Sequence, residues 1–295
     1  MHNPHVYREI QAKVLLSSTA HPDTIFGCRY NMNLYRGCQH RCIYCDSRSE
    51  CYQIDRFDDE VLVKANAIEL LRDELSRKRI RGPIGLGSMN DPYMPLEAHL
   101  NLAGRALAVI AEFAFPIHII TKSALVLKDL DTLLKIARTY ASVSFTITTT
   151  DDDLAAKIEP GASRPSDRLA AMKVLADHGI QTGTTMMPVL PFIEDTEENI
   201  TALVAQTAAA GGSYIIPGLG VTTRDRQRAY FYARLDEHFP GVRDRYERTF
   251  GNRYECPSPR ARTLWPLFEE ACRRHGIATR IPLYAPQAAR QLPLF

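Results

Sequence analysis

The sequence predicts an α/β protein whose strands are parallel and joined by right-handed crossovers. Two observations carry this prediction. Short runs rich in valine, isoleucine and threonine alternate, over the first 220 residues, with longer segments whose apolar residues recur at helical spacing. No break in composition divides the 295 residues, so we expect one globule. Strands separated by helices of this length form parallel sheets.

Six βα units are predicted along residues 28–220, after an N-terminal extension over residues 1–27 and before a helical C-terminal extension over residues 221–295. The strands are predicted at Cys28–Tyr35, Ile84–Gly87, Ile117–Thr121, Ser142–Thr148, Thr182–Met187 and Tyr214–Ile216. The helices are predicted from Glu60 to before Gly82, from Glu97 to Phe113, from Leu125 to Arg138, from an N-cap at Ser166 to Gly179, and after Asp195. The first helix has Val61, Ala65, Ile68, Leu71 and Leu75 on its apolar face.

The composition and the N-terminal residues indicate in which cellular compartment the protein is expected. The hydrophobic fraction of 45% and the charged fraction of 24% are ordinary for a globular protein, and the net charge is +2. No apolar run approaches the roughly 18 residues of a membrane span, and the first residues lack the apolar core of a signal peptide. We therefore expect a cytoplasmic protein without a membrane partner. In a reducing compartment, clustered cysteines indicate metal binding or catalysis before disulfides.

Three of the seven cysteines, Cys38, Cys42 and Cys45, form a C-x3-C-x2-C loop after the first predicted strand. Thiolates this close along the chain can hold zinc or an iron–sulfur cluster. A structural zinc site needs four ligands, which His40 or Cys51 would have to complete. A cubane cluster with three thiolates leaves one iron open. Zinc ribbons normally add a second close Cys or His pair, which this sequence lacks.

The cysteine loop resembles that of the radical S-adenosylmethionine (SAM) enzymes, with Tyr44 at the aromatic position. The longer run from Asn33 to Cys42 resembles the branch related to spore photoproduct lyase, often described as DNA repair photolyases. The resemblance implies a partial (β/α)6 barrel and a [4Fe-4S] cluster on the three cysteines. It also implies reductive cleavage of SAM to a 5′-deoxyadenosyl radical that abstracts a substrate hydrogen, in a lyase or modification enzyme. An electron donor such as flavodoxin or ferredoxin would then be a partner, and we expect a monomer.

The resemblance also assigns SAM-binding residues. It places the SAM amino group at the loop after the second strand, with Ser88, Asn90 and Asp91, and the carboxylate at Lys122 in Thr-Lys-Ser. The ribose or carboxylate would lie at Thr148 and Thr149, and the adenine near Met187 and the Ile-Pro-Gly that ends the sixth strand. Spore photoproduct lyases carry a hydrogen-donating cysteine where Ser88 stands. Cys51 and Cys256 are therefore the candidate catalytic hydrogen donors, although each is also compatible with an inert structural role.

The C-terminal segment 222–262 holds ten arginines against six acidic residues, interleaved with seven tyrosines and phenylalanines. Such a mixture can bind a phosphate backbone and stack bases, so DNA or RNA is the expected substrate and Arg224, Arg226, Arg228, Arg260 and Arg262 are the expected contacts. An amphipathic cap with solvated arginines is the alternative. Three other functions stay open: a non-catalytic zinc-containing nucleic-acid-binding protein, an iron–sulfur electron carrier, and a radical SAM enzyme acting on a peptide or small molecule.

Overall fold

A computed structural model of the chain describes residues 7–57 and 60–285. The outer ends of the two predicted extensions, residues 1–6 and 286–295, lie outside the described residues. The strands are β1 (Tyr7–Ile10), β2 (Leu16–Ser18), β3 (Tyr30–Met32), β4 (Tyr35–Arg36), β5 (Val61–Lys64), β6 (Ile84–Leu86), β7 (Ile117–Thr121), β8 (Ala141–Thr146), β9 (Gln181–Met186), β10 (Tyr214–Pro217), β11 (Gly220–Thr222) and β12 (Glu255–Pro257). The α-helices are α1 (Ala67–Ser76), α2 (Glu97–Leu100), α3 (Leu102–Glu112), α4 (Leu130–Ala137), α5 (Asp152–Ile158), α6 (Pro165–Asp177), α7 (Glu197–Ala209), α8 (Asp225–His238), α9 (Val242–Phe250) and α10 (Ala261–His275).

The main sheet has seven strands in the order β10-β9-β8-β7-β6-β3-β2. Its neighbours from β3 to β10 are all parallel, and only β2 runs antiparallel, along β3. The sheet does not close, since β2 and β10 are its two edges. Six parallel strands with helices in their connections form the predicted partial (β/α)6 barrel, which is thereby confirmed.

The strands form where they do because parallel strands covered on both sides favour continuous apolar or small residues. All six residues of β8 are buried, and β7 has four of its five residues buried. The helices α1, α3 and α4 pack in sequence outside the sheet, and α10 returns to pack on α7. The barrel core therefore sits between the strands and this outer layer.

Several predicted boundaries were wrong. Residues Val61–Lys64, assigned to the start of a helix, form strand β5, which lies between β1 and β4 in a separate three-stranded sheet. Asn101 adopts a left-handed conformation with φ 47° and divides the predicted 97–113 helix into α2 and α3. Ser166 is not an N-cap, because Pro165 begins α6 and the Ser166 hydroxyl instead donates to Asp152.

The C-terminal extension contains α8, α9 and α10 together with the unpredicted antiparallel pair β11 and β12. A second core of buried side chains forms between α8, α9 and the cysteine loop, and it includes Tyr44, Phe231, Tyr246 and Cys256. Through this core the extension contacts the cysteine loop. None of the described helices has the length and apolar character needed to cross a membrane.

Candidate functional site

A cavity of about 660 Å³ opens at the carboxyl ends of the parallel strands. Three parts of the chain form its walls: the cysteine loop, the ends of β6 to β10, and β11 with β12 from the C-terminal extension. The predicted site residues among its lining are Cys38, Cys42, Tyr44, Cys45, Ser88, Asn90, Asp91, Lys122, Met187 and Cys256. The fold thus brings together most of the residues that the sequence singled out.

The three cysteines of the loop all face this cavity. Cys42 is buried, and Cys38 and Cys45 are half-buried. Burial, reinforced by the nearby Asp91 carboxylate, raises the pKa of Cys38 to about 12, and burial also raises the pKa of Cys42. Without a metal both are therefore neutral thiols, and a metal that binds them must displace their protons.

Backbone contacts with residues 158–161 hold the cysteine loop in place. The Ile43 N–H donates to the Ile158 carbonyl at 2.9 Å, and the Gly161 N–H donates to the His40 carbonyl at 2.9 Å. A Cβ atom on Gly161 would lie 2.1 Å from the Gln39 carbonyl oxygen, so only glycine allows this close approach.

The donor set fits an iron–sulfur cluster better than the zinc alternative. Of the two proposed fourth zinc ligands, Cys51 is exposed and lies outside the cavity lining, with its Sγ 3.4 Å from Ser49 Oγ. His40 lines the cavity, but its Nδ1 lies 3.3 Å from Asp91 Oδ2. Within residues 7–57 and 60–285, no three His, Cys, Asp or Glu side chains converge as a single metal ion requires. A cubane spreads its ligands over several irons, so its thiolates need not converge on one point.

A buried charge network below the loop was not foreseen from the sequence. The Tyr44 hydroxyl donates to Glu159, and Arg168 Nη1 lies 2.6 Å from Glu159 Oε2, with both side chains at most 2% exposed. Arg168 also donates to the Thr146 and Ser163 carbonyls, each at 2.7 Å. Burial alone would raise the pKa of Glu159, but the Arg168 and Lys122 charges lower it below its usual value. Glu159 is therefore a carboxylate that anchors Tyr44 and, through it, the loop.

Asp91 is fully engaged inside the protein. Its Oδ1 accepts from the Tyr93 N–H at 2.8 Å and from Thr121 Oγ1 at 2.7 Å, and its Oδ2 accepts from the Lys122 N–H at 2.6 Å. Burial would raise the pKa of Asp91, but His40 and these hydrogen bonds lower it to about 2. Asp91 thus joins the loop after β6 to the end of β7, which orients Lys122.

The other two predicted residues of this loop also have protein partners. Asn90 Nδ2 donates to the Tyr35 carbonyl at 2.8 Å, and Ser88 Oγ lies 2.8 Å from Asn31 Nδ2. Their assignment to the SAM amino group stays a prediction.

Lys122 extends from the end of β7 into the cavity, with Nζ 5.8 Å from the centre of the Tyr44 ring. Burial would lower its pKa, but Cys42 in its thiolate form, Glu159 and Asp91 together raise it above the ordinary value. The cavity therefore contains a lysine that stays protonated and can meet an anionic group.

Thr148 and Thr149 do not reach the cavity. Strand β8 ends at Thr146, two residues earlier than predicted, and Thr146 lines the cavity instead. Both predicted threonines are 3% exposed: the Thr148 carbonyl accepts from Asn199 Nδ2 at 2.8 Å, and Thr149 Oγ1 accepts from the Asp151 N–H at 3.1 Å. They shape the β8–α5 connection rather than the cavity wall.

The two candidate hydrogen donors differ in position. Cys256, on β12, is 1% exposed and lines the cavity, with its Sγ 3.5 Å from Thr223 Oγ1. Cys51 lies at the surface, outside the cavity lining. Of the pair, only Cys256 belongs to the cavity lining.

The first turn of α8 holds the segment after the cysteines. Gln227 Nε2 donates to the Tyr44 carbonyl at 3.1 Å, and Arg226 donates to the Arg48 and Ile54 carbonyls at 2.5 and 2.8 Å. Arg224 Nη2 lies 2.5 Å from Asp46 Oδ2.

Two more of the arginines expected to bind phosphates also have protein partners. Arg228 donates to the Thr223 and Asn252 carbonyls at 2.8 and 2.9 Å, and Arg260 donates to Glu197 at 3.0 Å. Four of the five predicted arginines therefore have partners within the protein: Arg228 inside the extension, and the other three on segments outside it.

Comparison with known proteins gives the family. A sequence model of the radical SAM superfamily matches residues 32–204, more than half of the chain. The chain is 31% identical over 229 residues to an uncharacterized protein of Mycobacterium tuberculosis, which covers 75% of this chain and 67% of that protein. It is 27% identical over 156 residues to the radical SAM Nalpha-GlyT isomerase of Pseudomonas phage M6, with 53% of this chain and 32% of the isomerase covered.

The fold resembles spore photoproduct lyase. A structure of that enzyme complexed with dinucleoside spore photoproduct superposes with a TM-score of 0.69 at 16% identity, covering 93% of this chain and 82% of the lyase. A mutant with bound AdoMet and the same photoproduct gives a TM-score of 0.68 at 15% identity, covering 92% and 80%. From the family match and this shared fold, the chain belongs to the radical SAM superfamily, and its cofactors are a [4Fe-4S] cluster and S-adenosylmethionine.

Proposed function

We propose that this enzyme holds its cluster on Cys38, Cys42 and Cys45 and uses SAM to remove a hydrogen atom from a nucleotide of DNA or RNA, in lesion repair or modification. One observation carries the proposal. The three thiols and the Lys122 ammonium face a single cavity of about 660 Å³ at the carboxyl ends of the parallel strands. Open α/β folds bind their ligands at these strand ends.

The chain's own residues position the reactants. Once bound and reduced, the cluster and SAM supply a carbon-centred radical that takes one substrate hydrogen. Lys122 meets the SAM carboxylate by a charge-assisted hydrogen bond, and Asp91 fixes Lys122 through its backbone N–H. Met187, which also lines the cavity, provides an apolar surface for the adenine. Tyr44, Glu159 and Arg168 keep the cysteine loop rigid, so the reacting atoms stay aligned.

Nucleic acid is the proposed substrate because of the proteins that this chain resembles. Spore photoproduct lyase, which shares its fold, binds dinucleoside spore photoproduct. At 16% identity this likeness concerns the fold, so a feature of this chain itself must also support the substrate. The exposed Tyr254, beside the cavity-lining Glu255, adds an aromatic contact where a base can stack.

Cys256 takes the role of hydrogen donor in this proposal, in preference to Cys51. Its S–H bond breaks as a C–H bond forms on the substrate radical. An electron donor of the flavodoxin or ferredoxin class then reduces the thiyl radical, which takes up a proton to restore the thiol. Replacing Cys256 by Ala is expected to leave SAM binding within about twofold of wild type while the yield of repaired or modified product falls.

The test is anaerobic incubation of the reconstituted protein with SAM, a reductant and single- or double-stranded oligonucleotides of DNA and RNA, read by mass spectrometry. We expect methionine and 5′-deoxyadenosine to accumulate and one class of oligonucleotide to change mass. A Cys38→Ala variant is the matched control and should produce neither. Cleavage of SAM with every oligonucleotide unbound and unchanged would refute the nucleic-acid substrate and favour a peptide or small molecule.

A further inference from the structure

A stack of three planar side chains stands at the rim of the cavity. The Arg224 guanidinium carbon lies over two rings, 5.6 Å from the centre of Tyr52 and 5.2 Å from the centre of Tyr254. Asp46 fixes the guanidinium with two contacts, 2.5 Å from Nη2 and 3.2 Å from Nε. The Tyr52 hydroxyl donates to the same carboxylate at 3.1 Å. The stack is therefore preorganised, with its side chains held before any ligand arrives.

The stack is continuous with the cavity on one side and open to water on the other. Tyr52 and Asp46 line the cavity, and Tyr254 directly precedes the cavity-lining Glu255 and Cys256. Tyr254 is 45% exposed although its ring packs against the Arg224 guanidinium. Trp265, on α10, is 44% exposed as well, but it packs on Phe268 and neither of its neighbours in the chain lines the cavity, so exposure alone does not distinguish Tyr254.

The charges of the stack indicate which part of a substrate it would contact. Arg224 is neutralised by Asp46, and Glu255 adds a negative charge to the rim. A phosphate group would meet acidic neighbours here, whereas an aromatic base has no charge to repel. Aromatic rings and arginine planes stack on bases of any sequence.

We propose that the side chains Tyr52, Arg224 and Tyr254 form a base-stacking subsite, in which an unpaired nucleobase of DNA or RNA lies on the open face of Tyr254. The nucleotide next to it along the strand then reaches the cavity. This inference rests on the proposed nucleic-acid substrate and specifies how that substrate is held. It also predicts that single strands bind better than duplexes, because a paired base cannot leave its stack without cost.

The experiment measures oligonucleotide affinity of the cluster-loaded protein under anaerobic conditions. The probe is a fluorescein-labelled 12-nucleotide single strand, as DNA and as RNA, compared with the same strand in duplex form. Tyr254→Ala is expected to weaken single-strand binding by about 5- to 150-fold, the range found when an aromatic residue that stacks on a base is removed. Tyr254→Phe keeps the ring and should stay within about twofold of wild type. Trp265→Ala is the matched control and should also stay within about twofold.

A second probe separates stacking from a structural effect. The same strand is made with abasic sites at all central positions, which removes the bases and keeps the phosphates. Wild type should discriminate the intact from the abasic strand, and Tyr254→Ala should lose most of that discrimination. Two results would overturn the subsite and leave the nucleic-acid substrate unchallenged. One is equal single-strand affinity for wild type and Tyr254→Ala; the other is a Tyr254→Ala variant that still distinguishes the intact from the abasic strand as well as wild type does. Failure of wild type to bind any strand would overturn both.

Discussion

Replacing Lys122 by methionine tests the assignment of the SAM carboxylate. Methionine is close to lysine in length and removes only the ammonium group. The Lys122 backbone N–H still donates to Asp91, since this 2.6 Å hydrogen bond does not involve the side chain. Glu159 also keeps its partner, because Arg168 lies 2.6 Å away. The substitution therefore removes one charge from the cavity while its walls stay in place.

The expected effect follows from the strength of the lost contact. In the cluster-loaded protein, the Cys42 thiolate and the carboxylates Glu159 and Asp91 keep the pKa of Lys122 above its ordinary value, so the ammonium is charged at neutral pH. A hydrogen bond between charged groups contributes about 1.5–3 kcal/mol. Because about 1.4 kcal/mol corresponds to tenfold, Lys122→Met should weaken SAM binding by about ten- to a hundred-fold.

The assay is equilibrium dialysis of SAM against anaerobically reconstituted protein, with iron content measured on the same samples. Lys157→Met serves as the control, since Lys157 is an exposed lysine on α5 outside the cavity lining. Both variants should keep wild-type iron, and only Lys122→Met should lose SAM affinity. SAM affinity within twofold of wild type in Lys122→Met would refute the assignment and leave Lys122 as a counter-charge for Glu159 and Asp91.

Three further predictions concern the cluster loop and the barrel interior. Anaerobically reconstituted wild type should hold about four irons per chain. Alanine at any of the three loop cysteines should abolish iron binding. Loss of iron from Cys51→Ala would mean that the proposed ligand set is wrong. Gln227→Leu removes the 3.1 Å hydrogen bond to the Tyr44 carbonyl. A chelator should then extract iron from the variant several times faster than from wild type, while the circular dichroism spectrum stays unchanged. Equal extraction rates would contradict a role for α8 in holding the cysteine loop. Burial lowers the pKa of His118 to about 4 from 6.5, so the unfolded chain binds the proton first as pH falls. At about 1.36 kcal/mol per pH unit, the folded state should lose about 3 kcal/mol between pH 6.5 and 4. Denaturant titrations of His118→Asn should lack this component, and parallel pH profiles for variant and wild type would argue against it.

The sheet was predictable because each strand carries its own signal. Strand β7 matches the predicted Ile117–Thr121, and β9 and β10 lie within one residue of their predicted ends. Buried parallel strands are continuous runs of apolar or small residues, which can be recognised without knowing their partners. Strand β5 was missed because its residues also continue the helical spacing that leads into α1. Its pairing with β1 and β4 depends on segments that are far apart in sequence.

The cavity was predictable only in part, for a related reason. The cysteines and Lys122 occur in short motifs at strand ends, so their positions follow once the strands are known. Glu159 has no such motif, and its role comes from Tyr44, which is 115 residues away along the chain. In the sequence, Glu159 cannot be told apart from any other glutamate at the end of a helix.

The arginines and aromatic residues of the C-terminal extension contact both the segment after the cysteines and the exposed rim of the cavity. Its arginines suggested a phosphate-binding surface, but Arg224 and Arg226 pair with Asp46 and with backbone carbonyls just after the cysteines. These contacts tie α8 to the segment that follows Cys45. The same Arg224 guanidinium also lies over the exposed Tyr254 ring, 5.2 Å from its centre. A molecule stacked on Tyr254 would therefore lie two side chains away from the cysteine loop, so substrate recognition and cluster environment share one continuous set of contacts.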